Sequence, residues 1–477
     1  MNFVSPLFLW YFVPVVLLAV LATPRGWRNG VVAVASLVFY AAGAGPTTLL
    51  LLGSMALNYM VGMLLEADRS RLSAGDRRVV LAGAIAVNLA ALVIWKYAGF
   101  LTEQANALAS LFGGGVQVAQ IALPIGISFY TFHHISYLVD IHRGERKAAR
   151  NPVAFIAYIA MFPQLVAGPI VRYREIADQL PQKRYHRLDD FAAGFPRFAL
   201  GLTKKVIVAD QLGPVVAACF DTASPQMTSG IAWLGAIAYT LQLYFDFSGY
   251  SDMAIGLGRM LGFRLPENFA RPYSSVTITE FWRRWHMSLS RWFRDYVYIP
   301  LGGNKHGEAK TYRNLAVVFV LTGFWHGANW TFLVWGLFHG ALLVVERGFG
   351  LRASPEVPIH RLLRRIGTML LVVVGWVFFR APDLGKAFVM LGHMIVPDFA
   401  GLGDVVGPTL SNQRTLVLLL ALLIVLMPAR HATGRFLESA RTRPAVALRA
   451  AVMILGLPYA AILLASGTFS PFLYYQF

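Results

Sequence analysis

Long apolar runs, parted by short polar or basic segments, make up almost the whole chain. A helix that crosses the hydrocarbon of a bilayer needs roughly 20 predominantly apolar residues. Runs of that kind lie at 6–23, 29–45, 47–65, 79–101, 119–141, 152–170, 195–219, 230–256, 314–345, 365–380, 413–428 and 445–466. The pattern predicts an all-α polytopic membrane protein with about 11 transmembrane or re-entrant helices. No fixed-period repeat is visible, and neither is the pair of matching broken helices found in many alternating-access transporters. One membrane-embedded domain, 1–477, is therefore expected. The first run has no Lys or Arg before it and is too long for the apolar core of a cleaved leader, so it reads as a retained helix.

Composition agrees. Of 477 residues, 57% are hydrophobic and only 14% charged, against about a quarter charged in a soluble domain. The net charge of +18 would suggest nucleic acid in a soluble protein. Here the basic residues fall in loops, which the positive-inside rule explains, and no nucleic-acid partner is expected. Arg25 and Arg28 follow the first run. Arg69, Arg71, Arg77 and Arg78 follow the third, and Arg143, Arg146, Lys147 and Arg150 the fifth. The turn after the second run is uncharged. This places the N-terminus outside and these loops in the cytoplasm, provided 102–118 lies on the outer side. A single cysteine, Cys219 in an apolar stretch, excludes an internal disulfide and multi-cysteine metal or redox motifs.

Two segments depart from the plain spanning pattern. Residues 277–300, TITEFWRRWHMSLSRWFRDYVYIP, open with Thr277 and Glu280 in capping-box spacing. On an ideal helix Arg283, Arg284, Arg291 and Arg294 share a sector of roughly 100°. Phe281, Trp282, Trp285, Leu289, Trp292 and Phe293 fill the other side, with His286 on the border. Four arginines at the bilayer midplane are too costly for a span. The segment is expected at the interface or as a re-entrant element, either as a surface anchor or as a basic collar for a phosphate-bearing ligand. The adjoining LGGNKHG turn adds Lys305.

The second segment, 314–345, contains no Asp, Glu, Lys or Arg and is too long for one perpendicular helix, so a break is expected at GFWHGAN (323–329). His326, flanked by Trp325 and Gly327, then lies deep in apolar surroundings. Burial disfavours the imidazolium, leaving a neutral ring able to take a proton from a hydroxyl as general base. His339 reads as structural, within a Gly336-x-x-x-Gly340 spacing that favours close helix approach. Asp246 and Asp252 need buried partners and do not share a helix face, which argues against paired-carboxylate catalysis. His133 and His134 are adjacent and poorly placed to chelate one ion, so no metal site is expected. Nucleophile-elbow, P-loop and dinucleotide motifs are absent.

Five blocks together resemble the membrane-bound O-acyltransferase family. They are PIGISFYTFHHISYLVD, FPQLVAGPIVRY, YFDFSGYSDMAIG, EFWRRWHMSLSRWFRDYVYIPLGG and TGFWHGANWTF. The likeness is greatest to the bacterial polysaccharide branch, typified by alginate O-acetylation, and covers roughly 1–400; the hydrophobic helices of 401–477 carry no motif. The resemblance implies a ring of helices around a thin centre, with a funnel from each side. His326 matches the family's near-invariant histidine and His286 its second one. It further implies acetyl-CoA as donor, an extracytoplasmic polysaccharide as acceptor, a periplasmic acetyl-transferring partner protein, and residence in the lipid of the bacterial inner membrane. Under it Arg283, Arg284 or Arg291 meets the coenzyme phosphates. His286 orients His326, binds substrate or stabilises the oxyanion, and Asn329 and Trp325 adjoin the substrate. D-alanyl transfer to teichoic acid, peptidoglycan O-acetylation and, in another class, a transporter or flippase of an activated precursor remain alternatives.

Overall fold

The computed structural model describes residues 3–68, 72–112, 114–115, 122–180, 188–427, 433–439, 442–467 and 470–473. Arg69 and Arg71 lie outside the described residues. Every regular element among those described is helical. They form two compact units, Met1–Phe195 with Ala254–Pro266, and Pro196–Met253 with Glu267–Phe477.

In the first unit the predicted spans appear as Val13–Ala22, entered through a wide π-helical turn at Leu7–Phe12, then Arg28–Ala44, Thr48–Leu65, Ala74–Ala109 and Ile127–His142. Their burial is inverted relative to a soluble bundle. Leu18, Val34, Val38, Leu49, Val79 and Ile94 are exposed, whereas Asn58 and Asn88 are buried and exchange amide hydrogen bonds of 2.9 and 3.1 Å between neighbouring helices. Apolar outside and polar pairs inside is the arrangement lipid selects. The predicted span at 152–170 is corrected. The helix there, Pro152–Ala160, has nine residues, roughly 14 Å at 1.5 Å per residue, and Met161 leaves helical geometry ahead of Pro163. His133 and His134 are fully buried among Tyr130, Phe155 and Tyr158. Among the described residues no group of three His, Cys, Asp or Glu is placed to hold a metal ion.

In the second unit Glu308–His326 and Trp330–Gly348 form a close antiparallel pair. Small residues make this possible. A side chain at Gly323 would strike the Phe332 carbonyl, and one at Gly336 the Phe319 carbonyl. Pro358–Arg380 packs beside them. Asp246 and Asp252 find cationic partners there. Lys205 Nζ lies 2.8 Å from Asp246 and 2.6 Å from Asp210. Arg197, 1% exposed, meets Asp252, Glu267 and Glu438, and Lys204 also meets Asp252. Residues 470–473 close over the Lys205 cluster: Ser470 donates to Asp210, Leu473 N–H to Asp246, and Lys205 stands over the Phe472 ring. Among the described residues four helical stretches are, by length and composition, long and apolar enough to cross a membrane: Arg25–Leu65, Ala74–Phe112, Pro358–Arg380 and Arg443–Ala465.

Candidate active site

The break foreseen at 323–329 is present, and His326 is the last residue before it. A side chain at Gly327 would collide with the Phe332 ring, so glycine is required where the chain reverses. Asn329 then caps Trp330–Gly348. Its oxygen accepts the Thr331 N–H at 3.0 Å, and its NH2 donates to the Pro382 carbonyl at 2.9 Å. Both ends of this amide are thus engaged in forming the turn.

Three aromatic rings stand steeply to the His326 imidazole: Trp325 at 4.9 Å between centroids, Trp335 at 5.1 Å and Phe379 at 5.1 Å. They leave His326 4% exposed. His339 sits in the next layer of the same aromatic cluster, between Trp282, Trp335 and Phe338, and among the described residues no hydrogen-bond partner reaches either of its ring nitrogens. A side chain at Gly375 would press on the His339 ring, so the Pro358–Arg380 helix owes its close seat there to glycine.

The 277–300 segment corrects the single-helix reading. Ile278–Arg284 ends at Trp285, His286 adopts left-handed backbone geometry (φ 42°), and a new helix runs Met287–Phe293. Thr277 caps the first helix by accepting the Glu280 N–H, but Glu280 returns to the Val276 N–H rather than to the cap itself. The buried Glu346 carboxylate accepts the N–H groups of Ile278 and Thr279, an anion at a helix N-terminus. Left-handed geometry is unfavourable for a residue with a side chain. Here Asn268 holds it: the Asn268 carbonyl accepts the Met287 N–H at 2.9 Å, and its side-chain oxygen accepts from the Ser288 N–H and hydroxyl. Asn268 went unnoticed in the sequence because nothing local marks it. The turn sets the buried His286 ring against Phe247 (4.7 Å) and Trp325 (6.2 Å). Trp325 is therefore the ring that both histidines touch.

The two faces expected of 277–300 survive the break. Phe281, Trp282, Trp285, Leu289, Trp292 and Phe293 are buried. Arg283, Arg291 and Arg294, joined by Arg352, line a cavity of about 470 Å³ that contains no carboxylate in its wall. Arg284 does not line it; it pairs with Glu280 at 2.5 Å and donates to Ser274. Trp282, Phe319 and Thr322 also line the cavity, and neither His286 nor His326 does. Thr322 is one helical turn before His326, so the two share a helix face.

The profile of the MBOAT, membrane-bound O-acyltransferase family, matches residues 142–379, which contain every element of this site but Phe379's helix end and the cap at Pro382. The chain is also 43% identical over 507 residues to the probable alginate O-acetylase AlgI of Azotobacter vinelandii, covering all of both chains. It belongs to the membrane-bound O-acyltransferase family. Another relative of this O-acyltransferase is the probable alginate O-acetylase AlgI of Pseudomonas putida, 42% identical over 497 residues and again over all of both chains. The peptidoglycan O-acetyltransferase of Helicobacter pylori is 36% identical over 425 residues, covering 82% of this chain and 79% of its own. The chain is thus a multi-pass membrane enzyme of the O-acyltransferase class.

Proposed function

We propose that this enzyme moves an acetyl group from cytoplasmic acetyl-CoA to a hydroxyl of an extracytoplasmic polysaccharide in the bacterial inner membrane, as in alginate O-acetylation, directly or through a periplasmic partner protein. The observation that carries the reading is the pairing of a caged imidazole, His326, with a carboxylate-free arginine cavity whose wall reaches Thr322, one turn away. The two relatives that align over all of both chains, at 43% and 42% identity, are both named probable alginate O-acetylases, which favours an acetyl group and a glycan acceptor. The architecture that goes with it is one domain of about 11 helices ringed around a thin centre, open to both sides.

In this mechanism the nucleotide phosphates of the donor rest on Arg283 and Arg291, whose planar forks suit phosphate oxygens. The thioester reaches toward His326. As the acceptor oxygen attacks the thioester carbonyl, His326 takes the hydroxyl proton. The C–S bond breaks, and the proton passes to the leaving thiolate. An apolar, aromatic surround keeps water away from the thioester. His286, sharing Trp325 with His326, positions the second side of the site.

The test is to incubate the purified protein with radiolabelled acetyl-CoA and alginate oligosaccharide, with and without periplasmic extract. The parent should release coenzyme A and label the glycan, and His326→Gln should do neither while inserting and folding normally. Equal labelling by that variant would refute the role given to His326.

A further inference from the structure

A groove of about 420 Å³ opens on the surface of the second unit and shares no residue with the arginine cavity. One wall comes from residues 233–241 and one from the last turn of Asn412–Leu426. The third is a stripe of Pro358–Arg380 from Leu362 to Val373, at spacings of three and four residues. The stripe runs along the helix for about 17 Å at 1.5 Å per residue.

The polar groups of this wall are already engaged. Trp233 Nε1 donates to the Met394 carbonyl, the Thr240 hydroxyl to the Ala236 carbonyl, and the Tyr273 hydroxyl to the Thr240 carbonyl. Among the described residues lining the groove, Arg365 is the one that carries charge. Ile366, Leu370 and Leu426 stand roughly half exposed along it. The length of the groove therefore suits hydrocarbon, and its one charged end suits an anion.

That end holds two cations rather than one. Arg365 Nη2 donates to the Val425 and Leu426 carbonyls at 3.3 and 2.6 Å, and Arg271 Nη2 to the Ile424 and Met427 carbonyls at 2.7 and 2.8 Å. Four consecutive carbonyls at the end of one helix are thus met by one nitrogen from each guanidinium. Nε and Nη1 of both have no partner among the described residues, and no carboxylate pairs with either side chain there. A helix C-terminus carries about half a negative charge, so two guanidiniums exceed what it can balance. Nearby charge does not make up the difference. Arg361 and Arg364 donate to backbone carbonyls, and Pro358–Arg380 contains no Asp or Glu. Arg271 also holds φ at 51°, a geometry that costs a residue with a side chain free energy.

We propose that this groove binds an anionic phospholipid, with an acyl chain along the Leu362–Val373 stripe and the phosphate at Arg365 and Arg271. Basic pockets between membrane helices recognise such headgroups. A soluble anion would leave the apolar length of the groove empty. A zwitterionic lipid would bring its own cation to an end that already has too many. The inference does not depend on the acyl-transfer reading.

The full chain would be reconstituted in nanodiscs of phosphatidylcholine with an equal share of phosphatidylglycerol, extracted gently, and its retained lipid counted by native mass spectrometry. The parent should retain phosphatidylglycerol in preference. Arg365→Gln and Arg271→Gln should each lower that preference by about fivefold, and Arg365→Lys should preserve most of it. Arg361→Gln, which removes an exposed cation outside the groove, should leave it unchanged. Ile366→Trp keeps both arginines but fills the groove, and should lower retention of phosphatidylglycerol by about tenfold. Millimolar inorganic phosphate should not displace the lipid. Equal retention of the two lipids by the parent overturns the proposal, and so does parental retention in Ile366→Trp. A loss in Arg361→Gln as large as in Arg365→Gln would reduce the effect to a general surface field, and displacement by phosphate would assign the arginines to a soluble anion; either result also overturns it. The Ile366→Trp arm decides even if losing a helix cap keeps the glutamine variants from inserting.

Discussion

The indole of Trp325 meets the His326 imidazole nearly edge to face, at 4.9 Å between centroids and 71° between planes. The two are consecutive residues in the last turn of Glu308–His326, where helical hydrogen bonding runs out and side chains must fix ring orientation. Trp325 also lies 6.2 Å from His286, so one buried ring sets two imidazoles. Trp325→Leu should lower kcat for acetyl transfer by about 100-fold, the effect of a misplacement on the order of 1 Å, with little change in KM. Trp325→Phe should recover most of it. Steady-state kinetics on protein of normal membrane yield would decide the matter, and wild-type kcat in the leucine variant would remove the positioning role.

The cavity near the site divides the arginines into two groups. Arg283 and Arg291 line it, while Arg284 is held by Glu280 and Ser274. Arg283→Ala should raise KM for acetyl-CoA by about tenfold, since a hydrogen bond to a charged group contributes about 1.5 kcal/mol or more. Its kcat should stay near the parent value. Arg284→Ala should leave KM unchanged. Acetyl-pantetheine, which lacks the nucleotide phosphates, should not distinguish the Arg283 variant from the parent. A KM effect that persists with this truncated donor would place the phosphates elsewhere.

Lys205 is 1% exposed and stands between two buried carboxylates, Asp210 and Asp246. Removing one partner of such a group leaves uncompensated charge in a low-dielectric interior, a loss of about 3 to 5 kcal/mol. Lys205→Met should therefore lower the melting temperature in detergent sharply and reduce membrane yield. Removing the charge left behind, with Asp210→Asn and Asp246→Asn together, should recover part of the loss. If the triple variant melts no higher than the single one, the defect is packing rather than charge.

Local signals carried much of this architecture. Apolar run length located the long helices but not short ones such as Leu384–His393 and Leu402–Val406, and the glycine and asparagine at 327 and 329 gave the reversal beside His326. The basic and aromatic faces of 277–300 followed from periodicity. What escaped depends on partners far along the chain. Lys205 and Asp246 are 41 residues apart, and Arg197 and Glu438 are 241 apart, so the buried aspartates pointed to a need for buried partners without naming them. Two of the rings around His326, Trp335 and Phe379, come from other helices. The failed span at 152–170 shows the limit of hydropathy: beyond Val153 nearly all its residues are buried in protein, so they are apolar for another reason. The break at His286 escaped because neither glycine nor proline marks it.

That break supplies the last expectation. His286 holds φ at 42° only while Asn268 secures the helix start after it, through Met287 and Ser288. Asn268 is itself fully buried and donates to Ser251 at 3.1 Å. Asn268→Ala leaves the Ser288 N–H and hydroxyl without their acceptor, a loss of about 1 to 3 kcal/mol, and frees the backbone to relax toward an ordinary helix. The His286 ring would then swing away from Trp325. Activity should fall in Asn268→Ala nearly as far as in His286→Ala, and the double variant should be no worse than either, because both changes remove the same placement. Additive losses in that cycle would mean that Asn268 acts on folding alone and that His286 keeps its position without it.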